Sequence, residues 1–158
     1  MMDFFSRSPE QTRRIGMRLG SMLQAGDVIC LQGDLGAGKT TFVQGLARGW
    51  GSLDSVSSPT FILVNEYRRG DEARLFHMDA YRLDSMLEAQ ELDLESMLAR
   101  GALIVEWPER ISELIPGERL WIYFDHVDEE EREMKLKPAG QRYADLVDQI
   151  RDAVYGGS

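Results

Sequence analysis

Eight consecutive residues do most to limit what this chain can become. Gly33-Asp34-Leu35-Gly36-Ala37-Gly38-Lys39-Thr40 fill the pattern G-x-x-x-x-G-K-[ST] at every position. Ahead of them, Val28 to Gln32 is a short apolar run that reads as a buried strand. Behind them, Lys39 to Arg48 carries helical spacing through Phe42, Val43, Leu46 and Ala47. Strand, glycine loop and helix in that order is the setting in which the pattern has a physical meaning. Glycines let the main chain curl until successive amide hydrogens point inward, and the following helix lays its positive end on the same spot. The segment is therefore a nest for an anion. Lys39 would reach over it to the β- and γ-phosphates of a nucleotide, and the Thr40 hydroxyl is placed to ligate Mg2+.

The remaining segments supply the rest of a sheet and its cover. Ser8-Pro9-Glu10-Gln11 reads as a helix start, with a hydroxyl cap, proline at the first helical position and Gln11 completing a capping box. Ile15, Leu19, Met22 and Leu23 continue that helix and Gly26 is its expected stop. After the turn Ser57-Ser58-Pro59, Thr60 to Tyr67 and Arg74 to Asp79 read as the two strands of a hairpin. Asp84 to Arg100 has helical character with a break near Asp93, ended by Gly101. Ala102-Leu103-Ile104-Val105 is apolar throughout, the mark of a strand covered on both faces. Strands at about Arg119 to Asp125 and Arg132 to Lys137 flank the solvated acidic turn Asp128 to Glu131, and a helix from Gln141 to Tyr155 closes the chain. The expected fold is one α/β domain over residues 1–158. It is P-loop NTPase-like, a mixed sheet with a parallel core and antiparallel hairpins, flanked by helices.

Composition removes several alternatives. The 158 residues hold 27 acidic against 18 basic side chains, a formal charge of −9, which repels phosphate backbones and argues against a nucleic-acid binder acting alone. One cysteine, Cys30, allows no internal disulfide, and with two histidines it does not fill a typical zinc site. No apolar run approaches the ~18 residues of a membrane span. The start, Met1-Met2-Asp3-Phe4-Phe5, lacks the cationic opening of a signal peptide. The expectation is a soluble cytoplasmic protein with no membrane partner.

A phosphate loop of this kind works with a second acidic group at a strand end. Glu106 follows the fully apolar strand and would stand at its carboxyl end, where open α/β sheets bind ligands; it is favoured as the metal ligand. Asp79 ends the less apolar run Leu75-Phe76-His77-Met78 and would position or activate the attacking water. Thr60, after the proline turn, is the candidate hydroxyl for sensing the γ-phosphate. His77 reads as a strand histidine on the face of Asp79, and Trp107 as either a packing residue or an aromatic facing a partner.

Four stretches in this order resemble the bacterial TsaE (YjeE) family: Gly33 to Thr41, Ser58-Pro59-Thr60-Phe61, His77-Met78-Asp79-Ala80-Tyr81-Arg82, and Glu106-Trp107-Pro108-Glu109. The resemblance runs from about Thr12 to Arg132. It implies a small ATPase needed to make threonylcarbamoyladenosine on tRNA, acting with the transferase TsaD and with TsaB and reaching tRNA only through them. It further implies that Gly33, Asp34, Leu35, Gly36, Ala37, Gly38, Lys39, Thr40 and Thr41 hold the phosphates of ATP. Thr40 and Glu106 would ligate Mg2+, while Thr60, Asp79 and Trp107 would serve catalysis or coupling. Thr12 and Arg132 match positions near the nucleotide in relatives. The tail after Lys137 has no clear counterpart.

The expected chemistry is Mg2+-dependent attack of water on the γ-phosphate, slow in the isolated protein and stimulated by TsaB and TsaD. Two rivals share the loop: a small-molecule kinase, and an ATP-dependent scaffold without turnover. A GTPase is disfavoured because neither N-K-x-D nor D-x-x-G occurs in the chain.

Overall fold

The computed structural model describes residues 2–34, 38–56, 64–82, 92–129 and 131–155. Their order is β1 (Met2–Ser6), α1 (Pro9–Met22), β2 (Val28–Gln32), α2 (Lys39–Trp50), β3 (Val64–Arg68), β4 (Arg74–Asp79), α3 (Leu94–Arg100), β5 (Gly101–Glu106), β6 (Arg119–His126), β7 (Arg132–Ala139) and α4 (Gln141–Tyr155). The seven strands form one sheet in the order β1-β7-β6-β2-β5-β4-β3. The inner four, β6-β2-β5-β4, run parallel; β3 closes one side antiparallel to β4, and β7 and β1 continue antiparallel on the other. The mixed sheet expected from the sequence is thus present, with its hairpins at the flanks.

The pattern of the central strands explains this arrangement. Val28, Ile29, Cys30 and Leu31 are all fully buried, as are Leu103, Ile104 and Val105 beside them, so both faces of these strands must be covered. On one face Ile29, Leu31, Ile104 and Ile122 pack with residues of α1, α2 and α4 such as Leu19, Phe42 and Ile150. On the other, Val28, Cys30, Leu103 and Val105 meet Met97 of α3 together with Ile111 and Ile115.

Helix α1 begins as expected: Ser8 accepts from the Gln11 amide at 3.2 Å. Gln11 differs from a capping box by one residue, since its Oε1 accepts from the Arg7 amide at 2.7 Å. The helix ends at Met22, before the expected stop, and Gly26 lies in the following turn at φ +93°. Apolar spacing overshot because Leu23 is buried although it is no longer helical.

Helices α1 and α2 approach more closely than side chains normally allow. A Cβ on Gly16 or Gly20 would fall on the carbonyl groups of Phe42 or Leu46, and one on Gly45 or Gly49 on those of Arg13 or Met17. The four glycines fix the helix that carries Lys39 against α1. A second clamp ties α4 to the start of β2, where the buried Asp27 accepts from Arg142 at 3.1 and 2.8 Å.

One strand lies beyond the sequence reading, and two expected elements are described only in part. Strand β1 was not anticipated; it pairs Phe4 with Met134 at the end of the sheet. Of the helix expected over 84–100, the described part is α3, with Asp93 accepting from Ser96 at its start. Of the strand expected over Thr60 to Tyr67, Val64 onward is described. Among the described residues no helix is long and apolar enough to cross a membrane.

Candidate nucleotide site

Strand β2 runs directly into the phosphate loop. Gly33 is required there by proximity, since a Cβ would lie 2.7 Å from the Phe124 carbonyl oxygen in the neighbouring β6. Gly38 opens α2 in the left-handed region at φ +102°, a conformation that favours glycine. Its carbonyl receives the Phe42 amide at 3.0 Å. Leu35, Gly36 and Ala37 lie outside the described residues, as does Thr60. Thr40 is exposed and Thr41 half-buried on the first turn of α2.

Lys39 is 5% exposed. Its ammonium donates to the Gly33 carbonyl and lies 4.2 Å from the centre of the Trp107 ring. Burial lowers its pKa from the usual lysine value, opposed by the negative charges of Glu106, Glu109, Asp79 and Asp34. Four carboxylates thus act on one ammonium.

The two acidic candidates prove to be neighbours. Strands β4 and β5 are parallel, and their register sets Asp79 opposite Glu106 at the carboxyl edge of the sheet. The run ending at Asp79 is the hairpin arm expected from the sequence, paired with β3. Although it includes His77, its residues Leu75 to Met78 are as buried as those of β5. The two carboxylates differ in their partners instead. Asp79 Oδ1 accepts from the Tyr81 amide at 2.9 Å. Glu106 is 8% exposed and its Oε2 lies 2.6 Å from His77 Nε2. His77 is a strand histidine as expected, but it touches Glu106, and Tyr67 touches its other ring nitrogen at 3.0 Å. Sequence reading missed this chain of contacts. Alternation put His77 on the face of Asp79, but only the register across β3, β4 and β5 brings the three groups together.

Trp107 follows Glu106 with φ 58° and ψ 46°. A bulky residue is strained in that region, and a residue before proline is normally extended, so two preferences are overridden here. Its amide donates to Leu31 at 3.3 Å, and its ring packs on Tyr81 at 4.9 Å between centres as well as against Lys39. Strain held by surrounding contacts at such a place is a feature of functional sites.

Thr12 and Arg132 come together beside the start of α2, where Pro9, Thr12, Gly38, Thr41 and Arg132 line a small cleft. Thr12 is buried, with its hydroxyl 2.6 Å from that of Ser6. Arg132 donates through Nη1 to the carbonyls of Asp128, Glu129 and Glu131, so the acidic turn also wraps an arginine. A larger cleft of about 430 Å3 opens beside Gly33 and Asp34 and is lined by Gln32, Tyr123, Lys135 and Lys137.

The donor chemistry fits Mg2+. No group of three or more His, Cys, Asp or Glu residues among the described residues forms a self-contained cage. A hydroxyl at the start of α2 and a carboxylate at the end of β5 are hard oxygen donors, and Mg2+ is typically held by one or two such groups with phosphate and water. The local charge points the same way: carboxylates crowd the lysine, and a triphosphate there calls for a cation.

Comparison with known proteins is consistent with this geometry. The family model described as threonylcarbamoyl adenosine biosynthesis protein TsaE matches residues 6–134. The tRNA threonylcarbamoyladenosine biosynthesis protein TsaE of Bacillus subtilis is 40% identical over 144 residues, covering 90% of this chain and 89% of that protein. The Synechocystis protein of the same name is 46% identical over 118 residues, 72% and 74% of the two chains. The crystal structure of YdiB from Bacillus subtilis superposes with a TM-score of 0.78 at 34% identity, over 96% of this chain and 95% of that one.

Proposed function

The chain belongs to the TsaE family, whose members are named for tRNA threonylcarbamoyladenosine biosynthesis, and from that premise we propose that it is the Mg2+-dependent ATPase of this pathway. One observation carries the reading: Lys39, at the start of α2, sits on the Gly33 carbonyl within electrostatic reach of Glu106, at the end of β5. In this reading Lys39 leaves the Gly33 carbonyl for the β- and γ-phosphates, and the positive end of α2 adds to the attraction. Thr40 and Glu106 hold Mg2+, which when bound neutralises charge on the phosphates. Asp79 orients the attacking water, and Thr60 and Trp107 couple the state of the nucleotide to partners. Thr12 and Arg132 line the nucleotide's flank. Catalysis is then positioning and charge stabilisation, as in other phosphoryl transfers. ATP hydrolysis acts on a TsaB–TsaD complex in the cytoplasm and supports transfer of the threonylcarbamoyl group, with tRNA reached through those partners. The net charge of −9 supports an indirect role toward tRNA.

Phosphate release measured with purified TsaB, TsaD and tRNA tests this. Wild type should turn over faster with the partners than alone, and Lys39→Ala and Glu106→Ala should lose that activity. ATP binding without phosphate release under any condition would replace the ATPase with a scaffold. Equal rates with and without partners would remove the coupling.

One observation favours a second reading. The cleft of about 430 Å3 beside the loop, with Tyr123, Lys135 and Lys137 on its walls, could admit the acceptor of a small-molecule kinase. Labelled γ-phosphate found on a metabolite, with little free phosphate, would decide for it.

A further inference from the structure

Side chains from three adjacent strands make a continuous hydrogen-bonded line. Tyr67 of β3 has its hydroxyl 3.0 Å from His77 Nδ1, and His77 of β4 has Nε2 2.6 Å from Glu106 Oε2 on β5. All three are buried, at 2%, 1% and 8% exposure. In a neutral ring only one tautomer serves both contacts. The Tyr67 hydroxyl donates to Nδ1, and the Nε2 hydrogen is given to the carboxylate. The opposite tautomer would turn a bare nitrogen lone pair toward a carboxylate oxygen at 2.6 Å.

We propose that Tyr67 and His77 are positioning residues that hold Glu106 in the rotamer in which it receives the cation. The proposal rests on Glu106 being the metal ligand. A glutamate has three side-chain torsions, and the ammonium of Lys39 is close enough to act on it electrostatically. Left to itself, the carboxylate would swing toward that ammonium, and the site would neutralise its own lysine and its own metal ligand together. The ring prevents this by committing one carboxylate oxygen to Nε2 and leaving the other for a cation or its water. Lys39 correspondingly donates to the Gly33 carbonyl. The carboxylate selects the tautomer, and Tyr67 in turn holds the plane of the ring through Nδ1. Partners of this kind, behind a ligand, orient it and tune its affinity.

The test uses Mn2+ as an EPR-visible probe, titrated into the full chain with ADP. Glu106→Gln should weaken Mn2+ binding. His77→Leu should weaken it ~10–100-fold, as loss of an outer partner typically does. Nucleotide binding by His77→Leu in EDTA should stay unchanged. His77→Gln, which keeps an N–H near the Nε2 position, should recover most of the loss. Tyr67→Phe, which removes a single oxygen and leaves packing intact, should show a smaller loss of the same kind. Thermal melting confirms that each variant is folded. Ring 15N spectra give an independent readout, since the chain has only two histidines. His77 should carry its proton on Nε2 in wild type, and Glu106→Gln, whose amide can also donate, should loosen that preference. If Glu106→Gln weakens Mn2+ binding but folded His77→Leu and Tyr67→Phe match wild type within about twofold, far below the loss expected of an outer partner, the positioning role is overturned and the metal site stands. If Glu106→Gln itself binds Mn2+ normally, the metal-ligand reading falls and takes this role with it. A ring with no proton on Nε2 likewise overturns it.

Discussion

Replacing Gly45 by alanine puts the close approach of α1 and α2 to a direct test. In the interior of an exposed helix this change normally stabilises by ~1 kcal/mol, because alanine is the better helix former. Here the added methyl would fall on the Arg13 carbonyl of α1, with the carbonyl carbon at 2.8 Å and Arg13 Cα at 2.9 Å. The obstacle is backbone in a helix and has no rotamer to retreat into, so the two helices must part along their whole crossing. Overpacking of this kind costs typically 1–3 kcal/mol and occasionally more, and a backbone clash belongs at the upper end. Setting ~3 kcal/mol against the ~1 gained leaves a net loss of ~2 kcal/mol. For a chain of this length that is a fall in Tm of ~4–8 °C. Scanning calorimetry of Gly45→Ala beside Gly70→Ala supplies the comparison. A Cβ at Gly70 meets nothing within 4 Å, so that variant should be as stable as wild type or slightly more so. ATP affinity should fall in Gly45→Ala as well, since α2 carries Lys39 and Thr40. A Gly45→Ala protein that melts at or above wild type would refute the tight crossing.

Three other outcomes follow from the same structure. Lys39→Ala should weaken ATP ~10–100-fold by calorimetric titration, through loss of charge-assisted bonds worth ~1.5–3 kcal/mol; normal binding would contradict the phosphate-loop assignment. Burial pushes the Cys30 thiol up to about 12 from 9.0, so the unfolded chain ionises first. Its contribution is complete below pH about 9 and is lost on the way to about 12, with a slope of about 1.4 kcal/mol per pH unit; denaturant melts should show that slope flattened in Cys30→Ala. Arg142→Ala leaves the buried Asp27 without its guanidinium and should destabilise by ~2–3 kcal/mol, less than a wholly buried pair because the arginine is partly in water. Urea titration of that variant and wild type checks the value.

The parts of the molecule that could be read from the chain are those whose chemistry is local. The phosphate loop is a contiguous pattern, and the run Ala102 to Val105 announces a covered strand ending at Glu106. What depended on pairing was not legible. Asp79 and Glu106 are 27 residues apart and become neighbours only because β4 lies parallel beside β5. Tyr67 and His77 join Glu106 through the register of three strands. Gly16, Gly20, Gly45 and Gly49 look like weaknesses in two helices until the helices are set against each other. Strand β1 holds no Val, Ile or Thr, and its place follows from pairing with β7.

The seat of Lys39 has one more consequence. With a carbonyl on one side and an indole on the other, the ammonium is hosted by the protein itself. On the proposed function, loading would be a swap of hosts, with phosphate oxygens taking the ammonium from Gly33 and Trp107. Such a swap gains less than a capture of a free ammonium would, because existing contacts are given up. On the same proposal the indole would lose its cation whenever a nucleotide is held, so the Trp107 ring would register the exchange.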